Sequence, residues 1–226
     1  MSGEAELLDA IVRRRQSARS FRDEPIPEPE LRALFSGAQR AASWCNIQPW
    51  RVRVTAPRVT RALGDALVAA AETQPKQPEV PYPPAYPEPY AQRRRACGRA
   101  LFTAMDVGRD DREARREAWL RNYRFFDAPH AAIVCQDHRL GAYAGIDIGV
   151  WLGTLLALAE ARGIDTCPMA SVAAYPAPLR RALDIPETEV VLLAVALGRR
   201  DDAPANACRT ERAPLEENVQ FLGFEN

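Results

Sequence analysis

Between Arg13 and Arg19 the sequence reads RRRQSAR, four guanidinium forks, an amide and a hydroxyl within one helical end and the loop after it. Groups of this kind donate in pairs to phosphate oxygens and to the polar edge of a planar ring. A basic last turn also answers a helix dipole without any ligand. The same two readings, phosphate binding or solvated surface charge, apply to Arg209 and Arg212 in CRTERAPLEE.

A second concentration of unusual residues is SWCNIQPWRVRV, residues 43–54. Trp44 and Trp50 can be core aromatics, with Pro49 setting up the strand that follows. Packing alone does not account for Asn46 and Gln48 between them, since both donate and accept hydrogen bonds. His130 stands at the mouth of an apolar run and His138 beside Arg139, neither in a metal or triad arrangement. No GxGxxG, GxxxxGK[ST], GxSxG or HExxH occurs. An enzyme built this way would leave the difficult chemistry to a cofactor.

The 226 residues and 47% hydrophobic content allow a sizeable core. Thirty basic and thirty acidic side chains cancel, so no overall field attracts nucleic acid or an anionic bilayer. Lys76 is the single lysine, so arginine positions are more informative than arginine abundance. Five scattered cysteines without a CxxC pair point away from a disulfide framework or zinc site and fit a reducing cytoplasm. No uninterrupted apolar run reaches the roughly 18 residues of a membrane span, and the N-terminus is not signal-like.

Several elements must position these groups. AELLDAIVRRR and PEPELRALFSGAQRAA have helical spacing, the second with prolines and acids suited to a helix start. WRVRVTA alternates as an edge or half-buried strand, and VTRALGDALVAAAET follows as a helix. Residues 74–89, QPKQPEVPYPPAYPEP, are too rich in proline for helix or central strand and form an extended surface segment, either a linker or a lid. YAQRRRACGRALFTAMDV and DDREARREAWLRNYRFF are expected as helices, the second capped by an aspartate. HAAIVCQD and EVVLLAVALGRR are buried strands by their apolar runs, IDTCPMAS is a short strand leading into a loop, and YPAPLRRALDIP a short helix.

From Gly141 to Ala161 every fourth residue is small: Gly141, Gly145, Gly149, Gly153, Ala157 and Ala161. Each glycine costs a helix up to about 1 kcal/mol relative to alanine, so close approach of a second helix is the expected compensation. That helix can belong to the same subunit or to a partner. Gly163 is placed as the helix C-cap. Phe221, Leu222 and Phe224 in the tail should dock on something, such as a neighbouring subunit. Helices alternating with few strands, without a repeat or a domain boundary, indicate an α+β fold with a small central sheet.

In order, RRRQSARSFRDEPIP, AASWCNIQPWRVRV, GIDTCPMASV and CRTERAPLEENV resemble the flavin-dependent nitroreductase family, with matching spacing over nearly the whole chain. The resemblance implies a single nitroreductase-like domain over 1–226. It implies a small mixed β-sheet surrounded by helices, a long central helix at a homodimer interface, and FMN in a cleft between subunits. It further implies that Arg15 and Ser17 lie near phosphate and ribityl and Arg19 near the ring's pyrimidine edge, with Gln16 also among the cofactor-binding residues. Ala42, Ser43, Trp44 and Asn46 match the segment lent by the other subunit, with Ala42 and Trp44 where proline and serine are usual. Pro168, Met169, Ala170 and Ser171 match the loop that covers one flavin face and presents a backbone N–H. Arg212, favoured over Arg209, matches the phosphate-binding cations near the C-terminus.

SWCN, the proline-rich insert, RRRACGRALF and RFFDAPH are most similar to the branch containing 4-nitrobenzoate and other nitroaromatic reductases. The insert at about 74–90 would then be a lid over the substrate cleft, with Trp44, Tyr82, Tyr86 and Tyr90 as substrate contacts. The tail at about 204–226 would dock on the partner. The implied activity is NADPH- or NADH-dependent reduction of nitroaromatics or quinones through flavin N5, with no catalytic side chain, no metal, no nucleic acid and no membrane. Two alternatives stand beside it. One is a sister flavin activity such as reductive dehalogenation, flavin breakdown or ring oxidation; the other is a flavin-binding protein without turnover.

Overall fold

The structure, a computed structural model, describes residues 3–224. Residues 1, 2, 225 and 226, which the expected domain and tail include, lie outside the described residues. Four strands, β1 (Arg51–Val54), β2 (His130–Asp137), β3 (Asp165–Met169) and β4 (Glu189–Gly198), form one sheet in the order β1-β2-β4-β3. Each of the three pairings is antiparallel. This corrects the expectation of a mixed sheet: the parallel pairing is confined to an isolated bridge between Ser17 and Thr166. The apolar runs of β2 and β4 arise because helices cover both faces, which an antiparallel ladder permits as readily as a parallel one.

The alternation of β2 sorts the core onto those faces. Ala131, Ile133 and Cys135 join Leu63 and Leu67 of α3 (Pro57–Thr73) and Leu179 of α7 (Pro176–Leu183). Ala132 and Val134 join Leu34 of α2 (Glu28–Ala38) and Ile148, Trp151 and Leu155 of α6 (Ala142–Ala161). The start signals work as expected, with Pro29 early in α2, Pro57 opening α3 and Pro176 opening α7. β1 and β3 are the edges of the sheet, so Pro168 sits in β3 without a lost ladder bond at the centre.

Of the remaining helices, α1 (Gly3–Arg14) buries no residue fully, and neither does α4 (Tyr90–Ala104). α5 is capped by Asp111, whose Oδ1 accepts from Ala114 N–H at 2.9 Å, but it spans only Arg112–Leu120. The expected extension through Phe126 is corrected: Phe125 and Phe126 turn away with positive φ and are 0% and 4% exposed. The positive φ of Phe125, Phe126 and Asp127 takes the chain out of helical geometry and delivers both rings to the same core cluster.

His130 is structural. Its Nε2 accepts from Ile26 N–H at 3.0 Å, which leaves Nδ1–H to donate to the Thr55 carbonyl at 2.9 Å. His138 is exposed and donates from Nδ1 to the Thr188 carbonyl at 2.9 Å. All five cysteines are free, and the described residues contain no cluster of metal-ligating groups.

α6 packs one side on the sheet and leaves the other uncovered. Within the subunit a Cβ at Gly145, Gly149 or Gly153 would meet nothing within 4 Å. Close packing of these glycines inside the subunit is therefore excluded among the described residues. Tyr143, Ile146 and Val150 stand exposed beside them. By length and composition α6 also suffices to cross a membrane, with a mean hydropathy of 1.6, although it is built into the core through Ile148, Trp151 and Leu155.

Candidate active site

The loop after α1 is bound to the outer edge of the sheet. Arg15 N–H closes the helix on Ile11, Ser17 bridges Thr166, and Ala18 N–H donates to the Thr166 carbonyl at 2.9 Å. Ser17 and Ala18 are thereby set against Thr166 of β3, and the loop expected at 168–171 starts later: Pro168 and Met169 close β3, so Ala170 and Ser171 alone follow the strand. Cys167 registers this closeness: burial pushes its thiol up to about 11, while Arg19, a bond from Ser17 and Arg15 pull in the opposite direction. It remains a neutral thiol rather than a nucleophile.

Asn206, which carries no recognisable signal in the sequence, is the hub of the site. Its Oδ1 accepts from Arg19 N–H at 2.7 Å, and its Nδ2 donates to the carbonyls of Ser20 and Asp201 at 2.9 and 3.0 Å. Its own carbonyl accepts from Gln16 Nε2 at 3.4 Å and from Arg209 Nη1 at 2.8 Å. Arg209 is thus gathered to the Arg15–Arg19 loop. Arg212 donates instead to Thr210 and to the Glu211 carbonyl, next to it in the chain.

Two polar atoms at this place are buried without a partner, Gln16 Oε1 and Ser171 Oγ. Buried polar atoms are almost always satisfied; the free Gln16 Oε1 can only accept and so suits a ligand donor, while the guanidiniums of the same loop suit an anion.

The insert at 74–90 reaches the same loop. Its root is fixed by Glu79, whose Oε1 accepts from Arg180 Nε and Oε2 from Val191 N–H, both at 2.7 Å. Gln77 N–H donates to the Ala174 carbonyl at 2.8 Å. Further out, the Tyr82 hydroxyl donates to the Ala170 carbonyl at 2.7 Å, and burial together with Tyr175 holds that hydroxyl above its usual pKa. Tyr86 and Tyr90 do not reach the loop in this way; the Arg94 guanidinium lies 5.3 Å from the Tyr86 ring and that of Arg93 6.0 Å from Tyr90.

The remaining segment, Ala42 to Asn46, is elsewhere. Trp44 N–H donates to Asp147 Oδ1 at 2.9 Å and the indole meets Tyr143 edge to face at 4.7 Å, both residues on the first half of α6. Arg14 pairs with Glu160 near the end of α6 at 2.7 Å. At the helical rise, Asp147 and Glu160 are about 20 Å apart along the axis. The structure therefore brings 15–19 and 209 together around Asn206 and beside Thr166 and Cys167 of β3, the strand that leads into Ala170 and Ser171, and keeps 42–46 at the other end of the helix within one subunit. Trp50, by contrast, is core: it stacks on Trp151 at 6.2 Å and donates from Nε1 to Gln39 at 2.7 Å.

The protein-family model described as "Nitroreductase family" matches residues 12–199. The chain is 34% identical over 223 residues to a 4-nitrobenzoate reductase of Nocardioides sp. (strain LMS-CY), covering 96% of this chain and 90% of that one. It is 34% identical to a nitrobenzene nitroreductase of Ectopseudomonas oleovorans, covering 95% and 96%. Among solved structures, the FMN-dependent nitroreductase NfnB from Mycobacterium smegmatis in complex with NADPH superposes with a TM-score of 0.93 at 30% identity, covering 96% of this chain and 99% of that chain. With the antiparallel sheet, the Arg15–Arg19 loop against β3 and the insert over Ala170 already in place, these matches lead to one conclusion: the chain belongs to the nitroreductase family.

Proposed function

We propose that this chain is an FMN-dependent NAD(P)H oxidoreductase that reduces nitroaromatic or quinone-like compounds in alternating half-reactions. The observation that carries the reading is the gathering of Arg15, Ser17 and Arg19 beside Thr166 and Cys167 of β3, with Arg209 tied to the same loop through Asn206, in a chain of this family. The donor set suits the cofactor: guanidiniums for a phosphate, and the unpartnered Gln16 Oε1 and Ser171 Oγ for polar groups of a ring and its side chain. When bound, FMN supplies the redox chemistry, two-electron reduction by NADPH or NADH and reoxidation by the aromatic acceptor. Arg15 and Arg209 are assigned to the phosphate, Arg209 ahead of Arg212 because it is tied to Asn206 beside Gln16. Arg19 contributes positive charge that favours an anionic reduced state, and Tyr82 steadies the peptide between Ala170 and Ser171.

The site is completed by a second copy of the chain. Ser43, Trp44 and Asn46 lie about 20 Å along α6 from the Arg15 loop, so they reach a shared ligand when two α6 helices pack antiparallel along the open glycines. The exposed Phe221, Leu222 and Phe224 suit the same homodimer. In this reading residues 1–226 are one domain, 74–90 its lid and the later part of 204–226 an arm over the partner, working in the cytoplasm.

The test is anaerobic mixing of the FMN-loaded protein with NADPH and with NADH, followed by nitrobenzene or 4-nitrobenzoate. Bleaching of the flavin and return of its colour on adding the nitroaromatic are expected. A flavin that neither nicotinamide bleaches sinks the reductase reading, and bleaching without reoxidation by nitroaromatics or quinones points to a sister flavin activity.

A further inference from the structure

α6 carries a carboxylate inside its apolar run. Asp147 lies beyond the first turn of the helix, is 6% exposed, and takes part in none of the ion pairs among the described residues. An unpaired buried carboxylate is costly, and leucine would serve the core better at such a position. Oδ1 accepts from Trp44 N–H at 2.9 Å, whereas Oδ2 is buried and has no partner.

What Asp147 grips is a strained turn. Cys45, Asn46 and Gln48 have φ of 49°, 56° and 48°, and none is glycine. Such backbone persists where its surroundings hold it in place. Ser43 Oγ accepts from Gln48 N–H and Gln48 Nε2 donates to the Asn46 carbonyl, both at 3.0 Å, so the turn is shaped from within. Its attachment to α6 is made by two residues four positions apart on one helix face, Asp147 to the backbone and Tyr143 to the indole. Trp44, 59% exposed, is left projecting over the uncovered side of α6.

We infer that Asp147 is a positioning residue for the cofactor: it holds the Ser43–Asn46 turn so that this turn meets the flavin of the second subunit. The inference rests on the flavin reading proposed above. A charged acceptor suits the task because its bond to a backbone N–H is roughly twice as strong as a neutral one. The free Oδ2 remains able to accept from a donor outside the subunit.

The test compares Asp147→Leu and Asp147→Asn with the wild type in the full chain, by FMN titration of the apoprotein, thermal midpoint without FMN, and sizing. Leucine removes the buried charge at similar size but takes the acceptor from Trp44 N–H, two effects that oppose each other, so its midpoint should stay close to that of the wild type. Loss of the charge-assisted bond should nonetheless weaken FMN binding by about ten-fold or more, while asparagine, which keeps an acceptor, stays within about three-fold. A Leu variant that binds FMN as tightly as the wild type overturns the proposal and leaves the flavin reading standing. A lowered midpoint in both variants, with matching loss of FMN, also overturns it, since Asp147 would then be merely structural. A wild type that takes up no FMN overturns both readings.

Discussion

Arg15 and Arg209 are the residues on which the phosphate assignment turns. Arg15→Ala or Arg209→Ala removes a charge-assisted partner worth about 1.5–3 kcal/mol, so FMN affinity should fall by about ten-fold or more in each. Flavin fluorescence titration reads this directly, and Arg212→Ala should have the smaller effect because its guanidinium is engaged with Thr210. Unchanged affinity for both Arg15→Ala and Arg209→Ala would show that the phosphate lies elsewhere. The arginines stand out in the sequence as a cluster, but only the family resemblance singles them out from solvated surface charge. Asn206 does not stand out, since a lone asparagine in a tail acquires meaning only when folding brings it against Ser20 and Arg19. Asp147 is an intermediate case: a carboxylate in an apolar helix is visible in the sequence, but the backbone N–H it holds, 103 positions away, is not.

The insert over the site is an element with a fixed root. Glu79 satisfies both Arg180 and the N–H of Val191 in β4, so Glu79→Ala leaves a half-buried guanidinium and a strand N–H to find other partners. The expected result is an insert that a protease cuts faster at residues 74–90 while the remainder of the chain keeps its resistance; limited proteolysis with mass spectrometry measures it. Cleavage rates equal to wild type would mean that Tyr82 and Gln77 suffice to hold the segment. Helix starts and buried strands are legible because prolines, caps and apolar runs act locally. The end of α5 is not, because burial of Phe125 and Phe126 is decided by distant residues such as those of β4 and α3. The antiparallel sense of the sheet is hidden for the same reason, as strand direction leaves no mark in an apolar run.

At the scale of the whole molecule, the bare glycines of α6 make the assembly testable. A Cβ at Gly149 meets nothing within 4 Å in the subunit, so Gly149→Leu should fold as a chain yet fail to pair, eluting as a monomer without the yellow of bound flavin. Sizing with visible absorbance reads both properties at once, and a coloured monomer would contradict a site shared between subunits. The glycine stripe itself is legible; that no helix among the described residues packs against Gly145, Gly149 and Gly153 is visible only in the fold. Asp147 has one more consequence, which concerns the newly made chain. From Ala142 to Ala159 it is the only charged residue, in a helix otherwise long and apolar enough to partition into lipid. A carboxylate at the centre of a membrane helix is disfavoured by about 2.5–3.5 kcal/mol on an insertion scale, and Asp147, about 7 Å from the centre of α6, contributes a part of that, so the group that binds Trp44 N–H also biases α6 towards water during synthesis.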